Sequence, residues 1–138
     1  MAKRYITFEE IMDTLYNLPD DYLSGFDKVI AITRGGLFIT GFLTQKFGFR
    51  NVDTLSFKSY EEQEQGNLQI LKAQVDLSDK ILVIDDIADS GKSLEVARLF
   101  YPNAKTFTFH YKAHSTVKPD YYMFETTEWI VYPWELER

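Results

Sequence analysis

Hydrophobic residues follow two kinds of spacing in this chain, and the two kinds alternate along the sequence. Short apolar or alternating runs predict strands at 28–33, 52–57, 81–84 and 106–111. Segments with apolar residues every three or four positions predict helices at 8–18, 37–47 and 92–101. A capping box from Thr7 to Glu10 begins the first helix, whereas Gly48 and Pro102 end the other two. This alternation predicts an α/β fold, with a central, mostly parallel sheet flanked by helices.

Two segments depart from the alternation. Residues 59–67 are polar and aperiodic, and a strand pattern resumes at Leu68 and Ile70. We therefore expect a flexible β-hairpin arm at about 58–72 that closes over a site. The tail at about 112–138 is dense in aromatic residues and interrupted by prolines, which predicts irregular strands folded over the core as a small hood.

The composition predicts one folded domain, residues 1–138. Hydrophobic residues make up 45% of the chain and aromatic residues 16%, enough for a substantial core. The net charge of −6 disfavours nucleic acid as a partner, and the lack of cysteine removes disulfides and thiolate zinc sites. With no apolar leader and no run of the ~18 residues that span a bilayer, we expect a cytoplasmic protein with no integral membrane segment.

The stretch from Ile81 to Ser93 carries the clearest chemistry. Asp85 and Asp86 follow four aliphatic residues, at the edge where open α/β sheets bind ligands. Asp89 and the sequence Ser-Gly-Lys-Ser come next, and their small residues and incipient helix offer backbone N–H groups to a phosphate. A solvated acidic turn is the alternative reading of the two adjacent acids. Three carboxylates around one loop favour a ligand with ribose hydroxyls and a phosphate, with Mg²⁺ held through the ligand's own phosphates as much as by the protein.

Two other nucleotide motifs fit less well. Gly91-Lys92-Ser93 resembles the end of a P-loop, but the spacing of that motif requires glycine where this chain has Asp86. The charge of Asp86 would repel the phosphates of a nucleoside triphosphate. No strand is followed by the G-x-G-x-x-G pattern of a dinucleotide site. Both classes are therefore disfavoured.

Other candidate residues lie after neighbouring strands. Arg34-Gly35-Gly36 reads as an ordinary turn or, on the same sheet edge as the acidic loop, as a pyrophosphate site. Lys112 ends a strand at that edge and is either a solvated lysine or a donor to a ligand carbonyl. His110 and His114 have no third ligand nearby, so we expect structural or incidental roles for them. Trp129 and Ile130 are candidates for the core or for an aromatic pocket that binds a flat heterocycle.

The stretch Ile81–Ser93 closely resembles the phosphoribosyl-diphosphate motif of type I phosphoribosyltransferases, and more of the chain is similar to the bacterial xanthine-guanine members. The matching segments are Thr33-Arg34-Gly35-Gly36-Leu37, Asn51-Val52-Asp53-Thr54, Ser59-Tyr60, Lys112, Thr127-Glu128-Trp129-Ile130 and Pro133-Trp134-Glu135. The tail also resembles that of short hypoxanthine-preferring archaeal enzymes. The resemblance implies the Rossmann-like type I phosphoribosyltransferase fold and, as substrates, phosphoribosyl diphosphate and a 6-oxopurine.

The resemblance also implies a role for individual residues. Asp85 and Asp86 would bind the ribose hydroxyls, with Asp86 also near Mg²⁺, and Arg34 and Gly35 would bind pyrophosphate. The whole donor site would be Arg34, Gly35, Asp85, Asp86, Ile87, Ala88, Asp89, Ser90, Gly91, Lys92 and Ser93. Asp89 would be the acid/base group at purine N7. Lys112 would donate to the 6-oxo group, while Trp129 and Ile130 would stack on and bond the base.

This chain departs from the family pattern in its arm and tail. Gly66 stands where the arm often carries a basic residue, and Lys72 is the candidate substitute. The tail ends soon after Trp134-Glu135, which leaves the choice among guanine, xanthine and hypoxanthine open. The competing functions are transfer to a pyrimidine or orotate, a non-catalytic regulatory protein that binds the donor or a nucleotide, and an oligomeric scaffold with a vestigial site. In either an enzyme or a scaffold, the many aromatic residues permit a homo-oligomer, a dimer or a tetramer.

Overall fold

A computed structural model describes residues 2–59 and 68–136. Over these ranges the helices are α1 (Phe8–Tyr16), α2 (Gly35–Phe47) and α3 (Lys92–Phe100). The strands are β1 (Lys3–Tyr5), β2 (Lys28–Ile32), β3 (Val52–Ser59), β4 (Leu68–Lys72), β5 (Ile81–Ala88), β6 (Lys105–Tyr111), β7 (Tyr121–Glu125) and β8 (Trp129–Val131). Within the same ranges, every helix is too short or too polar to cross a membrane.

β5 lies inside the main sheet. The strand order is β4-β3-β2-β5-β6-β7, and all neighbouring pairs are parallel except β3 and β4. β1 and β8 form a separate parallel pair. The α/β prediction is confirmed. The chain turns outward in opposite directions from β2 and β5, so a crevice opens between their carboxyl ends, where such sheets bind ligands.

Both faces of the sheet are buried, because alternate residues of its inner strands point to opposite sides. In β5, Leu82 and Ile84 join one core cluster, whereas Ile81 and Val83 join the other. α1 and α2 cover the first cluster and α3 covers the second. The uninterrupted aliphatic run of β5 is thus explained by helices on both faces.

The predicted ends of the helices are largely confirmed. Thr7 and Glu10 form the capping box, with bonds of 2.8 Å from Thr7 N to Glu10 Oε2 and 3.1 Å from Glu10 N to Thr7 Oγ1. Gly48 ends α2 with a φ of 76°, the left-handed region that favours glycine. The start of α2 was wrongly placed at Leu37. The helix begins at Gly35, so the two glycines form its first turn and not a loop before it.

The end of β5 also differs from the prediction. The strand continues through both aspartates to Ala88, although aspartate is disfavoured in strands. Pairing with β2 stops at Ile84, but pairing with β6 continues to Ala88 opposite Tyr111. Asp85 and Asp86 are therefore held in extended conformation by β6 and lie free of β2 on the other side, next to the first turn of α2.

β3 and β4 form the antiparallel hairpin expected at about 58–72. The predicted mobile loop falls mainly on residues 60–67, including Gly66, outside the described residues. The ammonium of Lys72, the candidate substitute for a basic residue in the arm, pairs with Asp53 and lies 3.2 Å from Thr54 Oγ1. Asp53 is level with Val83 of β5, about 10 Å along the strand from Asp86. Lys72 thus lies away from the predicted donor site.

The tail contributes one strand to the main sheet and one strand to a separate pair. β7 extends the main sheet as a parallel edge strand beside β6, so this part of the expected hood at 112–138 belongs to the sheet. β8 pairs instead with β1, a strand that the sequence analysis did not predict. The separate β1–β8 pair places Trp129 and Ile130 beside the end of the main sheet.

Candidate active site

The predicted donor residues come together at the carboxyl ends of β2 and β5. A cavity of about 310 Å³ is lined by Ile32, Thr33, Gly35 and every residue from Asp85 to Leu94. A neighbouring cavity of about 670 Å³ is lined by Arg34, Gly35, Phe38, Asp86, Trp134, Glu135 and Leu136. Gly35 and Asp86 line both cavities, so the acidic pair and the arginine turn share one site.

Asp85 and Asp86 are crowded carboxylates. Asp85 is buried, and its Oδ1 accepts a hydrogen bond from Asp86 N at 2.8 Å. Burial raises the pKa of Asp85 well above its ordinary value, and the charge of Asp86 raises it further. Burial also raises the pKa of Asp86, although hydrogen bonds, including one from the Trp134 ring, oppose that effect. A bound cation or hydroxyl donors would stabilise the charged form of this pair, and a ribose associated with magnesium provides both.

Gly35 and Gly36 let the first turn of α2 approach β5 closely. A Cβ atom on Gly35 would overlap the Asp86 carboxylate, and one on Gly36 would overlap the Ile84 carbonyl oxygen. The Thr33–Arg34 peptide bond that precedes them is cis. Arg34, at the N-cap of α2, provides no side-chain hydrogen bond to the helix. The N-terminal turn of α2 and the arginine thus lie beside the acidic pair, where an anion can bind.

The loop after β5 leads into a second helix N-terminus. Gly91 is the N-cap of α3 with a φ of 92°, and no side-chain hydrogen bond caps this helix. Ser90 Oγ accepts a bond from Lys92 N at 3.2 Å, which shapes the turn. Thr116 N donates to Ser90 O at 3.0 Å and ties the loop to the segment after β6. The first turn of α3 therefore offers backbone N–H groups to the phosphate that the sequence predicts.

Asp89 meets two basic side chains from the segment after β6. Lys112 Nζ lies 3.5 Å from Asp89 Oδ2, and His114 Nε2 lies 2.6 Å from Asp89 Oδ1. Lys112 is buried, and its ammonium lies 5.9 Å from the centroid of the Trp129 ring. Trp129 is 54% exposed. A carboxylate, an ammonium and an exposed aromatic residue thus lie together beside the predicted donor loop.

Ile130 has a different position from Trp129. Its side chain is buried in the core cluster that α1 and α2 cover. Trp129 therefore presents a side chain to solvent, whereas Ile130 faces a ligand only through its backbone. Of the remaining donor residues, Ala88 is buried and Ile87 packs partly against the same core cluster.

The sequence analysis assigned no chemical role to three residues that contact the site. His114 was predicted to be structural or incidental, yet it makes the shortest contact of Asp89. Tyr132 donates from its hydroxyl to Asp86 O at 3.0 Å. Trp134 lines the same cavity as Asp86 and stacks between Phe38 and Tyr132, with both centroid distances 4.8 Å. The resemblance named the segment containing Trp134, but no residue spacing linked it to Asp86.

The partner of His110 differs from that of His114. His110 is buried, and its Nδ1 lies 2.7 Å from Tyr132 Oη. The two histidines thus do not share a site. Across the described residues, no group of three or more histidine, cysteine or acidic side chains is arranged to bind a metal. A magnesium ion here would depend on one or two aspartates and on the oxygens of its substrate, as is common for this ion.

Sequence comparisons agree along most of the chain. The family model of the phosphoribosyl transferase domain matches residues 4–138. A xanthine-guanine phosphoribosyltransferase of Cereibacter sphaeroides is 40% identical over 114 residues, covering 78% of this chain and 68% of the relative. A protein of the same name from Chromohalobacter salexigens is 34% identical over 113 residues, covering 80% of this chain and 70% of the relative.

The fold comparison agrees with the sequence comparison. A purine phosphoribosyltransferase from Pyrococcus horikoshii superposes with a TM-score of 0.81 at 30% identity, covering 100% of this chain and 97% of that one. A xanthine-guanine-hypoxanthine phosphoribosyltransferase from Helicobacter pylori gives a TM-score of 0.79 at 26% identity, covering 97% and 94%. The similarity therefore extends over both the sheet and the site at its edge.

Proposed function

The chain belongs to the phosphoribosyl transferase family, and we propose that it transfers 5-phosphoribosyl from phosphoribosyl diphosphate to N9 of a 6-oxopurine. The acceptor is guanine, xanthine or hypoxanthine, and the second product is pyrophosphate, which makes this a purine salvage reaction. The observation that carries the proposal is the meeting of Asp89, Lys112 and the exposed Trp129 ring beside the donor loop. The main sheet and its two core clusters support a single domain for residues 1–138.

The donor occupies the crevice between β2 and β5. Asp85 and Asp86 accept hydrogen bonds from the ribose hydroxyls, and the N-terminal turn of α3 binds the 5-phosphate. Arg34 and the amide of Gly35 bind pyrophosphate. Magnesium, held by Asp86 and the donor oxygens, would neutralise charge on the leaving pyrophosphate. These groups favour departure of pyrophosphate, because they stabilise the charge that develops on it.

The acceptor lies between Asp89, Lys112 and Trp129. Trp129 stacks on the base, and Lys112 donates to the 6-oxo oxygen. The bond from C1′ to N9 forms as the bond from C1′ to the pyrophosphate oxygen breaks. The proton on N7 passes to the Asp89 carboxylate, which completes the proton balance of the step. Lys112 and Asp89 thus recognise two adjacent positions of a 6-oxopurine.

Turnover by the purified protein tests the proposal. Pyrophosphate release is measured with the donor and each of guanine, xanthine, hypoxanthine and adenine, with and without magnesium. We expect Mg²⁺-dependent turnover with at least one 6-oxopurine and a roughly 10²–10⁴-fold lower kcat in Asp89→Ala, since that variant loses its acid/base group. Asp79→Ala, an exposed acid elsewhere, is the matched control. Normal turnover in Asp89→Ala, or binding of the donor without turnover by the wild type, would contradict the proposal.

Base selectivity tests the role of Lys112 separately. Lys112→Met keeps a long side chain in this buried position but removes the donor to the 6-oxo oxygen. We expect kcat/KM for 6-oxopurines to fall roughly 10- to 100-fold, the effect of losing a charged hydrogen bond. Activity with adenine, which has a 6-amino group, should change little. Equal losses with both kinds of base would show that Lys112 does not read the 6-position, and thermal unfolding checks that the variant is folded.

A further inference from the structure

Asp89 is held from two sides by one short segment of chain. Its Oδ1 lies 2.6 Å from His114 Nε2, and its Oδ2 lies 3.5 Å from Lys112 Nζ. The two oxygens of the carboxylate therefore have different partners. The bond to His114 is the shorter, at a distance typical of a strong hydrogen bond to a charged group.

The backbone around His114 is fixed even though its side chain is exposed. Lys112 N donates to Ala88 O at 2.9 Å, and Thr116 N donates to Ser90 O at 3.0 Å. Ser115 N closes a turn onto Lys112 O at 2.9 Å. These bonds join the segment on both sides of His114 to the loop that carries Asp89. The fold thus places the backbone of His114 within reach of Asp89.

Asp89 needs such a restraint. Its side chain is 47% exposed, so without a partner the carboxylate has several accessible rotamers. The Lys112 ammonium restrains only Oδ2, and at 3.5 Å its contact is long for a hydrogen bond. His114 Nε2–H is the donor that fixes the plane of the carboxylate. Oδ2 is then left on the side of Lys112 and Trp129, where the acceptor base is expected.

We propose that His114 is a positioning residue that holds Asp89 Oδ1 so that Oδ2 is presented to purine N7. This inference rests on the proposed function. His114 has no contact with the bound base in this scheme and acts only through Asp89. Its loss should therefore lower kcat and leave the KM for phosphoribosyl diphosphate unchanged, because the donor is bound by Asp85, Asp86 and the α3 turn.

A pair of variants of similar length tests the inference. Gln at position 114 places an amide donor near the position of Nε2, whereas Met has no donor, and the 68% exposure of the His114 side chain makes both easy to accommodate. We expect His114→Met to lower kcat about tenfold, from the loss of a hydrogen bond to a charged group. His114→Gln should retain kcat within about threefold of the wild type. Wild-type kcat in His114→Met, or equal losses in both variants, would overturn the inference.

A double-mutant cycle shows whether His114 acts through Asp89. In the Asp89→Ala background, His114→Met should cause no further loss of kcat, because the carboxylate that His114 positions is absent. A further tenfold loss, or a raised purine KM that persists in this background, would indicate direct contact with substrate and overturn the inference. Long-range ¹H–¹⁵N NMR gives a readout without turnover. The imidazole signals of His114 should shift in Asp89→Ala, and unchanged signals would show that the two side chains are not paired.

Lack of turnover by the wild type and lack of effect in His114→Met would reject different proposals. Absence of turnover with every purine would remove the proposed function. The NMR comparison would then decide the pairing alone, and unchanged His114 signals would overturn the positioning role as well. Turnover in the wild type together with an inert His114→Met would reject only the inference.

Discussion

Gly35 and Gly36 are neighbours in sequence, but each makes room for a different kind of group. A Cβ atom on Gly35 would meet the carboxylate of Asp86, a side chain that is able to rotate away. A Cβ atom on Gly36 would meet the carbonyl oxygen of Ile84 and lie 3.2 Å from Asp85 Cα, which are backbone atoms of an inner strand. Gly35 therefore leaves space for the Asp86 carboxylate, whereas Gly36 permits the packing of α2 on β5.

These two positions should separate function from stability. In Gly35→Ala we expect a roughly tenfold or greater rise in the KM for phosphoribosyl diphosphate, because Asp86 must leave its position, with little change in stability. In Gly36→Ala we expect about 1–3 kcal/mol of destabilisation, the usual cost of overpacking. Initial rates and urea unfolding measure the two effects. Similar KM values in both variants, or equal destabilisation, would contradict this division.

Individual site residues were predictable mainly through the family resemblance, because residue type alone left Lys112 and Trp129 open between a structural and a binding role. Asp89, Lys112 and Trp129 were expected at a common site, and the structure brings them together. His114 was not recognised, because its role depends on the bonds from Lys112 to Ala88 and from Thr116 to Ser90. Such bonds join segments far apart in sequence and leave no residue pattern. Ile130 looked equivalent to Trp129, but pairing of β8 with β1 directs it into the core.

At the scale of elements, the predictions were most accurate where burial follows a simple pattern along the sequence. The aliphatic run of β5 was recognised because both of its faces are buried, and the helical spacing of α3 because one of its faces is buried. The extension of β5 through two aspartates was missed, because local propensity disfavours it and pairing with β6 imposes it. β1 was missed because all three of its residues are exposed and carry no alternation. β7 was assigned to the hood, since aromatic content does not distinguish an edge strand from a cap.

At the scale of the whole molecule, the parallel sheet determines where the chemistry lies. Arg34 and Lys112 follow β2 and β6, Asp85 lies in the second half of β5, and only a parallel arrangement places all three at one edge. This step was predictable from the alternation of strands and helices. The hydrogen bonds that Tyr132 makes to the backbone of the site were not predictable. Tyr132 follows β8, yet its hydroxyl bonds both the carbonyl of Asp86 and the buried His110.

His110, the second hydrogen-bond partner of Tyr132, connects these contacts to the stability of the whole protein at acid pH. The Tyr132 hydroxyl has one proton and donates it to Asp86 O, so His110 Nδ1–H must donate to Tyr132 Oη. This Nδ1–H is present in both the neutral and the protonated imidazole, so the bond forms in either state. Burial, and secondly the charge of Arg4, lower the pKa of His110 to about 4. The same group in the unfolded chain has a pKa of about 6.5.

The difference between these pKa values predicts how stability depends on pH. Between about pH 6.5 and 4 the unfolded chain binds a proton that the native protein does not, so stability falls as the pH falls. The part lost through His110 reaches about 3 kcal/mol near pH 4. His110→Asn retains an N–H donor near Nδ1 but does not titrate, so its free energy of unfolding should fall less steeply over this window. Urea unfolding at a series of pH values measures both slopes, with the range above pH 7, where the slopes should agree, as an internal control. Parallel curves from pH 7 to 4.5 would mean that the native pKa of His110 is not lowered, and would contradict the predicted contribution of this buried imidazole to the loss of stability in acid.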